Sequence, residues 1–153
     1  MLNNLSELFS RLTAPPGAES AADHAHTVQL AAAVLIAEVM RAQPGVSQAE
    51  RAAALAALQQ RFALYAAELA RLLAQAEAQA AQANDFFRFT SQLNERCSQP
   101  DKIALVEAMW QVAYADGQLD VHENHVISKV AGLLHVTHGE YIAAKLRARD
   151  QAG

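Results

Sequence analysis

The sequence predicts an all-α protein, because it is rich in alanine, poor in turn-forming residues and punctuated by helix caps. Alanine contributes 35 of the 153 residues, whereas glycine contributes 6 and proline 4. Alanine has the highest helix propensity, and a protein built of short strands would need more turn residues. Four segments carry the spacing of a helix N-terminal cap, and none alternates convincingly as a half-buried strand does. We therefore expect a bundle of long helices.

A short helix and a long helix are predicted before the first major break. One apolar stripe at helical spacing marks the short helix. It consists of Leu2, Leu5, Phe9 and Leu12. The Pro-Pro-Gly sequence at residues 15–17 ends this helix. A long helical pattern then covers residues 19–41 and stops at Pro44 and Gly45, because proline lacks the backbone donor that a helix interior requires.

Six further helices follow, and most of them begin at a capping residue. Ser47 and Glu50 have the spacing of a capping box, in which the serine oxygen accepts from the N3 amide and the glutamate accepts from the cap amide. Further cap signals stand at Ser98, Asp120 and Thr137. The remaining helices are predicted over residues 65–81 and from Asn84, and the last helix is expected to end at Arg149.

An internal repeat relates residues 35–50 to residues 108–123, at an offset of 73 residues. In each copy, a helix that is apolar on nearly every side meets a short loop, and a capped amphipathic helix follows. A helix that is apolar all round belongs in the interior of a fold. The repeat therefore predicts a duplicated bundle in which two central apolar helices, at 28–40 and 103–113, are wrapped by shorter helices.

We expect a single domain over residues 1–153. The short N-terminal helix and its Pro-Pro-Gly break occupy residues 1–18, and the duplicated core occupies residues 19–149. An alanine-rich face at residues 52–57 would let two copies of the chain pair closely as a homodimer.

Composition and charge narrow the classes of function. A formal net charge of −4 disfavours binding to nucleic acid through a basic surface. The single cysteine, Cys97, excludes an internal disulfide and favours a reducing compartment. The apolar run at residues 27–37 is shorter than the ~20 residues that a membrane span needs. Because the start of the chain also lacks the order of a signal peptide, we expect a cytoplasmic protein without a membrane span.

The most informative stretch is the acidic loop in the second copy of the repeat. When residues 112–123 are aligned with a twelve-residue EF-hand loop, Asp116, Asp120 and Glu123 fall at ligand positions and Gly117 falls at the turn position. The first and third positions supply no carboxylate, so a standard EF-hand is rejected. Three carboxylates remain around one tight turn, where they can share a hard divalent cation.

The same residues also fit a purely structural role. Gly117 suits a left-handed helix C-cap, and Asp120 with Glu123 forms an N-cap pair worth about 1 kcal/mol without any metal. In the first copy, Gln43 and Ser47 stand where the second copy has its two aspartates. If both loops once held ions, this chain retains the ligands for only one. The spacing alone leaves both roles open.

Several motifs around this loop follow one family pattern. They are WQVAYADG at 110–117, then Leu119-Asp120 and Glu123, LLHV at 133–136, AVLIAEV at 33–39, and Phe89-Thr90. Together they resemble the tellurite-resistance TerB-like family over roughly residues 30–149. The ADG-x-L-D-x-x-E core is the most specific part of this resemblance.

The resemblance implies an all-α duplicated fold, a small cytoplasmic protein of stress or tellurite-resistance type, and a relative at the start of a membrane-anchored DnaJ-type co-chaperone. It also implies a metal site built from acidic loop residues. Carried over to this chain, that site comprises Asp116, Asp120 and Glu123, with Glu38 and Glu50 from the first copy. The chain departs from the family pattern at Gln43-Pro44, where the family shows Asp-Gly, so a symmetric pair of ion sites is not expected.

Glu38 has two interpretations. It lies among apolar residues of the first long helix, where an unpaired buried carboxylate would be costly. An ion pair with a nearby arginine such as Arg41 would relieve that cost. The alternative is a carboxylate that binds an ion or faces a partner, and helix geometry alone does not decide between the two.

Other motifs carry weaker functional interpretations. His122, Glu123 and His125 fall one residue short of the HExxH zinc motif, and two rings three positions apart diverge on a helix. Residues 130–137, followed by a basic helix, mimic a helix-turn-helix. The basic residues are Lys145, Arg147 and Arg149. No nucleophile elbow, phosphate loop or pair of catalytic acids is present, so we assign no catalytic residue.

Our leading hypothesis is a non-enzymatic helical interaction module that binds protein partners and takes up a divalent cation, Ca²⁺ or Mg²⁺ rather than Zn²⁺. One alternative is a metal-dependent enzyme acting on phosphate esters, which convergence of Glu38 or Glu50 on Asp116 would support. The other is a helix-turn-helix DNA-binding protein, which the acidic charge of the chain disfavours.

Overall fold

The computed structural model describes residues 19–42, 45–117 and 119–152, and these residues form seven α-helices and no strand. The helices are α1 Ala21–Arg41, α2 Gln48–Phe62, α3 Ala66–Gln82, α4 Phe87–Arg96, α5 Gln99–Tyr114, α6 Val121–Leu133 and α7 His138–Ala152. None of these described helices has the length and apolar character needed to cross a membrane. The all-α class is confirmed, and the short helix predicted within the first 12 residues lies outside the described part of the chain.

Two central helices organise the bundle. α1 contacts α2, α3, α4, α5 and α6, and α5 contacts α1, α2, α6 and α7. All seven residues at 31–37 of α1 are buried, and α5 is buried on several faces, including that of Trp110. A helix can be buried on every side only when neighbours surround it. The predicted central pair of apolar helices is therefore confirmed.

Each helix of this central pair belongs to a three-helix unit, α1–α3 or α5–α7, and the two units are arranged alike. α3 packs along α1, and α7 packs along α5. The middle helix of each unit crosses to the other unit, since α2 contacts α5 and α6 contacts α1. α4 joins the two units along the chain and packs against α1 and α6. α2 and α6 are therefore held by the same two central helices.

Most helices begin where their caps predict. For example, Ser98 Oγ accepts from Asp101 N at 3.3 Å, and the carboxylate of Asp101 accepts in return from Ser98 N at 3.3 Å. The end of the last helix differs from the prediction, because α7 continues past Arg149 to Ala152. Gln111 Nε2 of α5 donates to Gln151 Oε1 at 2.8 Å, and this contact holds the additional turn against the central helix.

The basic face of α7 packs partly against α5. Trp110 is fully buried, with its ring centroid 5.5 Å from that of Tyr141, and the Lys145 ammonium lies 5.0 Å from the Trp110 ring. Arg147 forms an ion pair with Glu107 of α5. Two of the three basic residues that mimic a DNA-recognition helix therefore contact α5, and the third, Arg149, pairs with Asp150 at 3.6 Å.

Candidate functional site

The candidate site lies where α2 and α6 begin, one helix from each unit. Ser47 is the N-cap of α2, and its Oγ accepts from Glu50 N at 3.0 Å. Asp120 is the N-cap of α6, and its Oδ1 accepts from His122 N at 2.7 Å. Each cap is followed three residues later by a glutamate, Glu50 or Glu123. The local sequence thus places one carboxyl group in the first turn of each helix.

The two glutamates are buried and face one another. Glu50 and Glu123 are both 0% exposed. Burial, followed by a hydrogen bond with the Glu50 carboxyl, raises the pKa of Glu123 to about 9, although its bond from Asp120 N opposes the rise. The negative charges of Glu50 and Asp116 raise this pKa further. At neutral pH this raised pKa keeps a proton on the Glu123 carboxyl, at its contact with Glu50, because two adjacent buried carboxylates would repel each other strongly.

The two carboxyl oxygens of Glu123 differ in their hydrogen bonding. Oε1 accepts from Asp120 N at 3.2 Å, which is the return bond of the capping box. Oε2 is buried and meets no hydrogen-bond donor among the described residues when both carboxyls are ionised. A buried oxygen without a partner is costly, and a proton shared with Glu50 or a bound cation would satisfy it.

In α2, the capping glutamate bonds differently from that of α6. Instead of accepting from the cap amide, as the sequence predicts, Glu50 Oε2 accepts from the Ser47 hydroxyl at 3.5 Å. The loop before α2 contains Gly45 at φ +72°, and the loop before α6 contains Gly117 at φ +83°. Both loops thus contain a glycine in the left-handed conformation, a conformation that side chains disfavour. Gly117 N also donates to Tyr114 O at 3.0 Å, as a helix C-cap does.

The other predicted acidic residues, Asp116, Asp120 and Glu38, have different surroundings and partners. Asp116 is exposed, yet its charge reaches Glu123 and raises the pKa of that carboxyl. Asp120 acts as a helix cap. Glu38 pairs with Arg41 at 3.1 Å, and Arg41 also donates to Ala80 O at 3.0 Å. Burial raises the pKa of Glu38 despite this ion pair.

The donor set is suited to a hard cation. Carboxylate oxygens are the ligands that Mg²⁺ and Ca²⁺ prefer, and Mg²⁺ is commonly held by one or two carboxylates together with water. Within the described residues, however, no group of three or more His, Cys, Asp or Glu side chains is positioned to hold a metal ion. Glu50 and Glu123 would supply two ligands, and Asp116 lies near enough to add its charge. Metal binding here stays a prediction.

The contact between Glu50 and Glu123 is the feature that sequence reasoning underestimated. The acidic loop directs attention to Asp116 and Asp120, which lie close to Glu123 in the chain. The repeat offset of 73 residues carries the missing signal, since it places Glu50 and Glu123 at equivalent positions. Equivalent positions near the axis of a duplicated fold come together when that axis passes between the two copies.

Comparison with known protein families gives a match to this chain. The family model described as tellurite resistance protein TerB matches residues 29–146, which is more than half of the chain. The matched region contains the larger part of α1, all of α5, both loops and all five predicted acidic residues. Neither the curated proteins nor the solved structures include a match to this chain.

Proposed function

The chain belongs to the tellurite resistance protein TerB family, and from this premise we propose that it is a non-enzymatic helical interaction module that takes up one divalent cation. The observation that carries the proposal is the buried Glu50–Glu123 pair. A cation would replace the shared proton and neutralise two carboxylates that otherwise repel each other. The tellurite-resistance or stress context belongs to the same proposal and rests on the family alone.

The proposed ligands are Glu50 and Glu123, with Asp116 contributing from the loop between α5 and α6. Asp120 keeps its role as the cap of α6, since its Oδ1 is already bound to His122 N. Such an all-oxygen donor set favours Ca²⁺ or Mg²⁺ over Zn²⁺, which prefers nitrogen and sulfur ligands. The ion would join the first turn of α2 to that of α6 and so fix the two units relative to each other.

The surface next to this site supports an interaction role. Val46 and Val121 are 42% and 78% exposed, and each is adjacent in sequence to the N-cap of one of the two helices. An ion bound between the helices would stiffen this apolar surface, and partner proteins would bind there. We expect Val121→Asp to abolish binding of those partners, as measured by comparing the proteins that the wild type and the variant capture.

The enzyme alternative has less support. Catalysis on phosphate esters would need a second metal-binding cluster or a base beside the carboxylates. The described residues contain no such cluster, and Glu38 is engaged by Arg41. Glu50 does approach the acidic loop, but it meets Glu123, and the pair is fully buried.

The cation proposal is tested by thermal unfolding of chelator-stripped protein in Ca²⁺, Mg²⁺, Mn²⁺ and Zn²⁺ in turn. An ion that binds the native state raises the free energy of unfolding by about 2.7 kcal/mol at a hundredfold excess over its Kd. Trp110 is the only tryptophan and lies in α5, close in sequence to the acidic loop, so its fluorescence reports unfolding of this region.

Variants assign the effect to the site. We expect Glu50→Gln and Glu123→Gln each to abolish the ion-dependent rise, and Asp116→Ala with Asp120→Ala to weaken or abolish it. Glu68→Gln is the matched control, because Glu68 is also an N3 capping glutamate, bound to Tyr65 N at 3.1 Å. No rise with any ion, or an equal rise in all variants, would contradict the proposal and leave the acidic residues as helix caps around a shared proton.

A further inference from the structure

A cavity lies between helices, away from the candidate cation site. It has a volume of about 190 Å³, is partly enclosed, and opens between α1, α2, α4 and α5. Its apolar lining residues are Val28, Ala32, Phe62, Leu93 and Leu105. None of the proposed cation ligands lines it, so the two sites can be tested independently.

A buried lysine forms part of the cavity wall. Lys102 is only 8% exposed, and its ammonium donates to Asn94 Oδ1 at 3.2 Å. An ammonium has three donors, and among the described residues this amide is its one acceptor. No described carboxylate lies within ion-pair distance of it. The charge of Lys102 adds to the lowering of the Glu140 pKa, which hydrogen bonds from Thr137 N and Gln99 dominate.

The cavity lining carries an excess of positive charge. Arg61 and Asp101 also line it, and they pair at 3.4 Å with side chains that are 25% and 52% exposed. One carboxylate thus faces two cations. All three charged groups affect the pKa of the Cys97 thiol. Burial and then Asp101 raise this pKa, whereas Arg61 and Lys102 lower it.

We propose that this cavity binds a small apolar monocarboxylate. The apolar part of the ligand would lie among Phe62, Leu93 and Leu105, and its carboxylate would accept from the Lys102 ammonium and the Arg61 guanidinium. A neutral apolar ligand would leave the buried ammonium without a counter-charge, and inorganic phosphate would lose its hydration against the apolar wall. A ligand with one charged end and an apolar body satisfies both parts of the cavity.

The volume sets the size of the ligand. An enclosed apolar cavity of about 150 Å³ accommodates benzene in another protein. A cavity of about 190 Å³ with an open side therefore suits a body of that size plus a carboxylate. Benzoate and hexanoate meet these requirements, and benzyl alcohol and hexanol are neutral analogues of similar size.

Cys97 provides the readout, because it lines the cavity and is the only cysteine in the chain. The experiment measures the rate of Cys97 alkylation by iodoacetamide in the full-length protein, with and without hexanoate or benzoate. At a tenfold excess over Kd we expect alkylation to slow about tenfold, because only the unliganded fraction reacts. We expect the two alcohols to protect the thiol much less.

Two variants test the assigned roles. Lys102→Met keeps an apolar chain of similar length but removes the charge, so protection by hexanoate should fall to the level seen with hexanol. The matched control is Lys129→Met, which removes an exposed lysine of α6. In this variant hexanoate should protect the thiol as well as it does in the wild type. Ala32→Leu fills the cavity and leaves Lys102 in place, so both acids should lose their effect. Each variant is compared with its own rate without ligand, because the Lys102 charge affects the thiol.

Three results would overturn the proposal. The first is that neither acid slows alkylation of the wild type at any concentration at which acid and protein both stay in solution. The second is equal protection by the acids and the alcohols, which would mean that charge is not recognised. The third is equal protection in the wild type and in a folded Lys102→Met or Ala32→Leu variant, which would place the effect outside this cavity.

Discussion

At the scale of single residues, the Glu123 carboxyl governs the chemistry of the candidate site. It is fully buried, it belongs to the cap of α6, and its hydrogen bond with Glu50 of the other unit helps to raise its pKa. The capping role needs one oxygen as an acceptor, and the contact with Glu50 needs the other oxygen to be neutralised. We therefore expect the stability of the fold to depend on a proton or a cation at this point.

This dependence predicts that stability falls as pH rises. The pKa of Glu123 is raised in the folded protein to about 9, above its ordinary value near 4.5, so between these values the folded state binds more protons than the unfolded state. The free energy of unfolding then decreases with pH over that window, by at most about 1.4 kcal/mol per pH unit for one proton. Urea unfolding at pH 5, 7 and 9 without divalent ions measures this slope.

Glu123→Gln should flatten the slope, because glutamine can donate to Glu50 at every pH. Glu68→Gln should leave the slope unchanged, since it alters an equivalent cap far from the pair in sequence. A wild-type protein that is equally stable at pH 5 and pH 9 would show that the two carboxyls do not share a proton.

A second residue-scale prediction concerns the glycine of the acidic loop. Gly117 has φ +83°, and a Cβ added there would meet nothing within 4 Å. The cost of Gly117→Ala therefore comes from the backbone conformation alone, and we expect a loss of about 1–2 kcal/mol in stability. Gly132 in α6 is also open but helical, so Gly132→Ala should instead stabilise by about 0.4–1 kcal/mol. Equal effects of the two substitutions would contradict the left-handed conformation at Gly117.

At the scale of elements, the packing of α7 on α5 depends on small residues. Ala144 and Ala148 are 0% and 1% exposed at this contact. We expect Ala144→Leu to destabilise by about 1–3 kcal/mol, because added methyl groups in a packed contact force a backbone shift. Ala56→Leu on the exposed side of α2 should have little effect in the same denaturation assay. A tolerated Ala144→Leu would mean that α7 does not lie closely against α5.

The sequence predicts the helices and their starts better than it predicts contacts between helices. Caps such as Ser98 with Asp101 involve residues three apart, so their spacing alone predicts them. The all-apolar patterns of α1 and α5 likewise predict their central positions. The contact between Glu50 and Glu123 joins residues far apart in the chain, and Lys102 lines a cavity that four helices, α1, α2, α4 and α5, form together. Neither can be obtained from local spacing, because both result from how the helices cross.

At the scale of the whole molecule, the two units share one core. α1 contacts helices of both units, and α2 and α6 each cross to the opposite central helix. The buried residues of both units belong to a single hydrophobic cluster. Since neither central helix can stay buried without the other unit, we expect the chain to unfold in one cooperative transition.

The chain offers a direct test of this cooperativity, because its one tryptophan, Trp110, lies in the second unit, whereas far-ultraviolet circular dichroism reports on all helices. Leu58→Ala opens a cavity in α2 of the first unit and should cost about 2–5 kcal/mol. If the units unfold together, the substitution lowers the Trp110 fluorescence midpoint and the circular dichroism midpoint equally. If they unfold separately, the Trp110 midpoint stays at its wild-type value while the circular dichroism transition splits. The first outcome would mean that an ion or proton at the Glu50–Glu123 contact stabilises the entire bundle, because its free energy of binding adds to the single transition.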